Sequence, residues 1–394
     1  MNITEQVIVQ LYASAERQQQ ATETESTVVS DYVVAHKMLR NESAFKKDYG
    51  LISAFTVSRF NANDADWTHR RNLSQKNFAT VSMPDVARFI EGTPARVFSP
   101  DVLETRPELR NLCLEYAANN LFRVIGHDRV PDGYVDWVVK VRPFVQMLQV
   151  KTLEGQRAAP FSASEKQALL EELRVIIRPE LKFYDKLVGA LGEEAALEEA
   201  AMLLFGGVES TATTILWCLE MLGRGKPYQD IVRAADASER AALIEAFVNE
   251  TMRRFPAIPL IVRAPLEDWS ANGRHFAAGQ PVMISIIGIH HDERNWKEPF
   301  LFDYRREAFL KKTVRNGAFM PFSRGLRTCA GARLATDEIK AAVLHFVENF
   351  EVEQPCEQVG FDYGLTLNPT TYGHIRFRPL DRSEAHSTTG AEIA

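Results

Sequence analysis

The chain has 394 residues, 45% of them hydrophobic and 25% charged, a balance that fits a soluble globular protein and excludes a disordered one. A formal net charge of −6 argues against nucleic acid as a partner, although a local basic face can still steer an acidic protein. Four scattered cysteines, Cys113, Cys218, Cys329 and Cys356, form no Cys-x-x-Cys pair, which argues against a zinc site or disulfide scaffold and makes a reducing cytoplasm the default.

The N-terminus, Met1-Asn-Ile-Thr-Glu-Gln, lacks a basic segment followed by an apolar one, and no run of about 18 apolar residues is evident. Neither a signal peptide nor a membrane anchor is therefore expected. Trp67-Thr-His-Arg-Arg71 sets an aromatic ring and a guanidinium one helical turn apart, with His69 and Arg70 between them. Alone, that pattern also fits an ordinary surface helix with one aromatic anchor. Apolar periodicity predicts helices over 102–124, 164–191, 194–222 and 238–255.

The third of these contains Ala201-Met-Leu-Leu-Phe-Gly206-Gly207-Val-Glu209-Ser210-Thr211, an apolar run broken by two glycines and a polar group. Such a helix is buried on most sides. Each central glycine costs about 1 kcal/mol against alanine, which points to close approach of a large group or a local opening of the helix. Ser210 or Thr211 can bond a carbonyl one turn earlier and loosen it further. A kinked core helix with an incidental Glu209 is the competing reading.

Glu250-Thr-Met-Arg253 places two opposite charges on one face of the fourth helix, in isolation a weak surface pair. Strand signals concentrate in 260–289, where Ile-Val-Arg-Ala at 261–264 and Val-Met-Ile-Ser-Ile-Ile at 282–287 flank turns at Asn272-Gly273 and Gly279-Gln-Pro281. Further on comes Phe322-Ser-Arg-Gly325-Leu-Arg327-Thr-Cys329-Ala-Gly331. Gly325 and Gly331 let this loop curl its amides toward the sulfur. Arg324, Arg327 and Arg333 supply positive charge, and a helix over 332–350 begins just past the cysteine. Cations, amides and a helix N-terminus convert a thiol into a metal-binding thiolate, whereas a buried structural thiol is the alternative. No repeat or flexible linker divides the chain, so 1–380 is expected to form one domain, followed by a disordered tail over 381–394.

The cysteine loop matches, at every fixed position, the signature Phe-x-x-Gly-x-Arg-x-Cys-x-Gly, and the chain thereby resembles the cytochrome P-450 superfamily, of soluble prokaryotic type, over about residues 30–380. The first 30 or so residues look abbreviated beside that family. The resemblance implies a mainly α fold with a smaller β region, a triangular helix-rich prism holding heme b between the long central helix and the helix after the cysteine loop. Cys329 would be the axial ligand of the heme iron, with Phe322, Arg327 and Gly331 completing the cofactor-binding loop. Trp67, Arg71 and Arg263 would join Arg327 at the heme propionates, where a guanidinium fork binds two oxygens together.

Glu250 and Arg253, with Arg306 rather than its neighbour Arg305, would form a buried network supporting the heme loop. Two family positions differ here, with Tyr304 in place of a proline and Glu307 in place of a phenylalanine. The central helix resembles the superfamily's oxygen-activation motif, Glu209 matching the acid and Ser210 standing where threonine is usual. Serine keeps the hydroxyl and loses the methyl that restricts its rotamers.

The implied enzyme is a monooxygenase that inserts one oxygen atom from O2 into a substantially apolar small molecule, by hydroxylation, epoxidation or demethylation, in the cytoplasm. Pocket walls are expected from 52–60, 203–210, 257–262 and 366–372, including Phe55, Phe60, Leu204, Gly207, Leu260, Ile261 and Leu367. Only about 60 residues follow Cys329, so electrons are expected from a ferredoxin or flavodoxin type donor docking near Arg70, Lys76, Arg315, Arg324 and Arg333. A peroxide-using or rearranging enzyme of the same fold and a non-catalytic heme sensor are the alternatives.

Overall fold

The computed structural model describes residues 28–78, 83–105, 108–153, 158–178, 182–315 and 317–380. The expected tail at 381–394 and nearly all of the abbreviated N-terminus lie outside the described residues.

One helix, Glu193–Arg224, organises the molecule, and almost every residue from Ala196 to Leu222 on it is buried. It packs against helices Leu109–Val124, Lys182–Leu191, Ala237–Arg254 and Ala332–Asn349, and against strand Leu367–Pro369. By length and composition it could cross a membrane, in contrast to the expectation of no such run, yet 78% of its apolar window lies inside the protein, as in a core helix. The main core joins residues from Tyr49 to Ile375 in one cluster.

Two of the predicted helices each appear as two among the described residues. The stretch 102–124 is two helices, Pro100–Thr105 and Leu109–Val124, and 164–191 is Ala163–Ile177 and Lys182–Leu191. In the sequence Pro107 and Pro179 lie between these helices, outside the described residues, and proline has no N–H to donate to a helix. Helix Ala163–Ile177 starts on a reciprocal cap, with Ser162 accepting from the Glu165 amide and the Glu165 carboxylate accepting from the Ser162 amide.

The largest sheet has four strands in the order Val28–Val29, Val282–Ser285, Leu260–Pro265, Phe45–Lys47. The first pair is parallel and the others antiparallel. The predicted strand at 282–287 stops at Ser285, whose hydroxyl accepts from the Gly288 amide at 2.9 Å and caps helix Ile286–His290. Asn272 and Gly273 both take positive φ, 49° and 75°, as a tight hairpin turn requires.

Strand alternation corrects one expected pocket residue. Leu260 faces the main core, whereas Ile261 belongs to a second cluster with Phe45, Val282 and Ile284 behind the sheet. Successive strand side chains point to opposite faces, so the two cannot line one wall. Leu204, Phe55 and Leu367 share the main core with Leu260, and Phe60 packs on its edge. Gly207 is exposed, with Leu121 closest to its missing side chain.

Candidate heme site

The cysteine loop is pinned at both ends. The Cys329 amide donates to the Phe322 carbonyl at 3.0 Å, and the Thr328 amide closes a turn on the Gly325 carbonyl at 3.2 Å. Gly325 has φ +77°, and a Cβ there would stand 2.1 Å from the Leu39 carbonyl oxygen, so neither the turn nor the space admits another residue. Gly331 precedes helix Ala332–Asn349, and its missing Cβ faces the Cys329 sulfur at 4.0 Å. Cys329 is exposed as a whole residue, while its sulfur end is packed among protein atoms.

The charges around the sulfur differ from those expected. Arg59 and Lys47 act on Cys329 together with the Gly331 amide, yet burial among protein atoms outweighs them and pushes the thiol up. Arg324 donates to the Phe319 carbonyl at 3.0 Å, Arg333 points outward 3.7 Å from Asp337, and Arg327 pairs with Glu42 at 2.9 Å. Proximity in sequence therefore did not place these arginines on the sulfur.

Behind the loop, Glu250 is fully buried and binds two guanidiniums. Arg253 donates to it through Nε at 2.7 Å and Nη2 at 2.9 Å, and Arg306 through Nε at 2.8 Å. The arginines then reach into the surrounding turns, Arg253 to the carbonyls of His290 and Pro299, Arg306 to those of Lys297 and Leu301. Arg306 is thus the third member, while Arg305 is exposed. Tyr304 packs against Tyr228, Phe247 and Phe302 and donates to the Met221 carbonyl at 2.8 Å, and Glu307 pairs at the surface with Lys311.

Four cations gather in front of the loop. Strand register sets Lys47 directly across from Arg263. Like charges at such a position repel. Burial first, then Arg263 and Arg327, holds the Lys47 ammonium well below the ordinary lysine range. Arg327 lies 4.0 Å over the Trp67 ring, and Arg71 lies 5.4 Å from the same ring. Arg71 Nε and Arg327 Nη1 are buried without a partner. Among the described residues Glu42 is the one carboxylate paired to this group, and a cavity of about 220 Å³ lined by Glu42, Lys46, Trp67 and Arg327 opens beside it. Glu42 and Lys47 carry no sequence signal of their own, since only the register brings Lys47 to Arg263.

On the central helix, Gly206 and Gly207 are exposed between buried neighbours, and a Cβ on Gly206 would meet nothing within 4 Å. The Ser210 hydroxyl donates to the Gly206 carbonyl at 3.0 Å, the backward bond expected of an alcohol there. Glu209 points elsewhere. One of its oxygens accepts from Arg110, from Arg142 Nε at 3.1 Å and from Thr366 at 3.2 Å, while the other is buried without a partner beside a cavity of about 10 Å³. Among the described residues no hydrogen bond joins Glu209 to Ser210. Thr211 turns toward the buried Glu338, and Thr213 donates to Asn368 at 2.8 Å.

A family model, Cytochrome P450, matches residues 177–374, just over half of the chain. The chain belongs to the cytochrome P450 family. It is 30% identical to cytochrome P450 3A14 of Cavia porcellus over 185 residues, which is 43% of this chain and 36% of that protein. It is 29% identical to probable cytochrome P450 6d5 of Drosophila melanogaster over 210 residues, 48% of this chain and 41% of that one. The matches thus span well under half the length of these curated relatives. Solved P450 structures share the fold across the whole body. Retinoic acid bound cyanobacterial CYP120A1 superposes with a TM-score of 0.73 at 17% identity, covering 90% of this chain and 89% of that one. A 6-coordinated P450 from Thermus thermophilus gives 0.68 at 18% identity, covering 90% and 92%.

P450 proteins bind heme b, and the residues present fit that group. Cys329 could offer its sulfur as an axial ligand, the open space beside Gly206 admits a flat macrocycle, and two unpartnered guanidinium atoms call for carboxylate oxygens such as the propionates carry. One expected docking residue is corrected. Arg70 is buried, 3.0 Å from Glu199 and 2.9 Å from Asp66, so it is not part of a basic surface. Arg315 and Arg333 are exposed and Arg324 is half-buried, while the Lys76 side chain lies outside the described residues.

Proposed function

We propose that the protein is a heme-thiolate monooxygenase inserting one oxygen atom of O2 into a substantially apolar small molecule, with Cys329 as the axial ligand. The observation that carries this is the cysteine on a pinned loop beside a cation cluster two of whose guanidinium nitrogens lack partners. Heme bound there supplies the oxygen-activating chemistry. Arg71, Arg263, Arg327 and Lys47 hold its carboxylates, and the network on Glu250 keeps the loop from shifting. Ser210 is the hydroxyl placed to hold a proton at the opening beside Gly206. Glu209 must release Arg110 or Arg142 before it passes a proton toward Ser210. Leu204, Leu260, Leu367 and Phe55 give the apolar character from which an apolar substrate follows.

Electrons come from a separate ferredoxin or flavodoxin type protein meeting the face that carries Arg315, Arg324 and Arg333. Free Cys113, Cys218, Cys329 and Cys356 suit a reducing compartment such as the cytoplasm. The described residues through 380 act as one domain, in keeping with the continuous core. The clamp on Glu209 favours one second reading, turnover with peroxide, which needs no proton relay to O2.

Two measurements test these readings. Reduced protein with carbon monoxide shows a strongly red-shifted thiolate-type Soret band that Cys329→Ala loses; its absence from the wild type refutes the assignment. Oxygen uptake with a ferredoxin system, compared with turnover on peroxide alone, separates the two activities.

A further inference from the structure

His290 lies outside every motif singled out from the sequence, yet it is fully buried and both ring nitrogens are engaged. Nε2 stands 3.0 Å from the Met320 amide nitrogen, and Nδ1 stands 3.2 Å from the Arg253 carbonyl oxygen. A backbone amide can only donate, so Nε2 accepts, the proton resides on Nδ1, and Nδ1–H donates to Arg253. Arg253 returns a bond through Nη1 to the His290 carbonyl at 2.7 Å. The imidazole also packs on Phe319, with centroids 5.3 Å apart.

Burial first, then the Arg253 charge, pushes the imidazole down to about 3, so it stays neutral and keeps its acceptor nitrogen in ordinary buffers. Met320 begins the approach to the cysteine loop. Its carbonyl accepts from the Ser323 amide at 3.0 Å, and one residue earlier the Phe322 carbonyl accepts from the Cys329 amide at 3.0 Å. A continuous path of bonds thus runs from Glu250 through Arg253 and the imidazole to the strand of chain that pins the sulfur. Arg253 and Arg306 do not themselves bond the loop. Among the described residues their hydrogen-bond partners are Glu250 and the carbonyls of His290, Lys297, Glu298, Pro299 and Leu301.

We propose that His290 is a positioning residue that fixes the cysteine loop against the Glu250–Arg253–Arg306 network, so that Cys329 presents its sulfur to iron as a thiolate. The inference rests on the heme-thiolate reading above and adds the physical link through which the buried network acts. A histidine that merely fills the core would affect stability alone; a positioning histidine alters the coordination state.

The test uses heme-loaded full-length protein and three variants. His290→Phe removes both bonds, His290→Asn can keep the donor to Arg253, and His290→Gln can keep an acceptor for the Met320 amide. Two readouts serve, the fraction of thiolate-type Soret band in the reduced, carbon-monoxide-bound state and the rate of heme transfer to apomyoglobin. Expected is loss of most of the thiolate-type band in the Phe and Asn variants, with heme transfer on the order of tenfold faster, as for other residues that orient a metal ligand. The Gln variant keeps the band. If the Phe variant fails to fold, the Asn and Gln pair decides. Equal behaviour of those two, or a wild-type spectrum and transfer rate in the Phe variant, overturns the inference while leaving the heme-thiolate reading intact. A wild type without the band overturns both.

Discussion

Glu338 offers a sharp test of how the core was built. It sits on helix Ala332–Asn349 just past the cysteine loop, 2% exposed, with one carboxyl oxygen lacking any partner. Tyr116 donates to its backbone carbonyl at 2.7 Å, while Asn120 and Thr211 face its carboxyl and Asp337 adds a like charge. Burial pushes the group up to about 8, against the weaker pull of Asn120 and Thr211. A carboxyl whose folded value exceeds its unfolded value near 4.5 contributes its full stability below that value and loses it as pH rises through about 8. At about 1.4 kcal/mol per unit, the loss between the unfolded value and pH 7 is about 3 kcal/mol. Glu338→Gln removes the titration and keeps the shape. In urea unfolding of the heme-loaded proteins at pH 5, 6, 7 and 8, the variant should gain on the wild type by about 3 kcal/mol between the lowest and highest values, then level off. Parallel stability profiles across that range would refute the claim that Glu338 is held protonated by its surroundings.

Other substitutions probe the site. Gly325→Ala should lower the heme bound per polypeptide, because its Cβ meets the Leu39 carbonyl, whereas Gly279→Ala, with similar positive φ and open space, should keep it; equal heme content would refute the close-packing argument. Glu250→Ala leaves two guanidiniums uncompensated and should cost about 3–5 kcal/mol in urea unfolding. Arg305→Ala, at an exposed position, should stay within about 0.5 kcal/mol of the wild type. Lys47→Met should act with opposite signs in the two states. Relief of repulsion from Arg263 and Arg327 should raise the urea midpoint of the apoprotein, while heme should dissociate faster. The second effect should vanish with heme dimethyl ester, which has no carboxylate to hold.

Local pattern carried much of the site. The spacing around Cys329 demanded Gly325, since only a residue without Cβ fits beside Leu39. The Glu250-Thr-Met-Arg253 pair lies on one helix face, and the glycine pair at 206 and 207 marks where an otherwise buried, uninterrupted helix is exposed. The long helix was legible because 3.6-residue periodicity is a property of consecutive residues. Pro107 and Pro179 in the sequence also pointed to a division, though the apolar pattern running past them hid it.

What decides function most finely came from pairings between distant segments. Arg110 and Arg142 hold Glu209 from 99 and 67 residues away, and no spacing in the sequence announces either. Arg306 was separated from Arg305 only when the turn after Pro299 folded one guanidinium inward and left the other in solvent. Lys47 reached Arg263 through strand register, and a slip of one residue would have turned it to the opposite face. The sequence by itself singled out the candidate iron-binding atom, because a loop of fixed glycines and one cysteine is a local object. Only the tertiary structure decided which charges surround that atom and which histidine steadies it, because electrostatic and hydrogen-bond partners are chosen by distance in space.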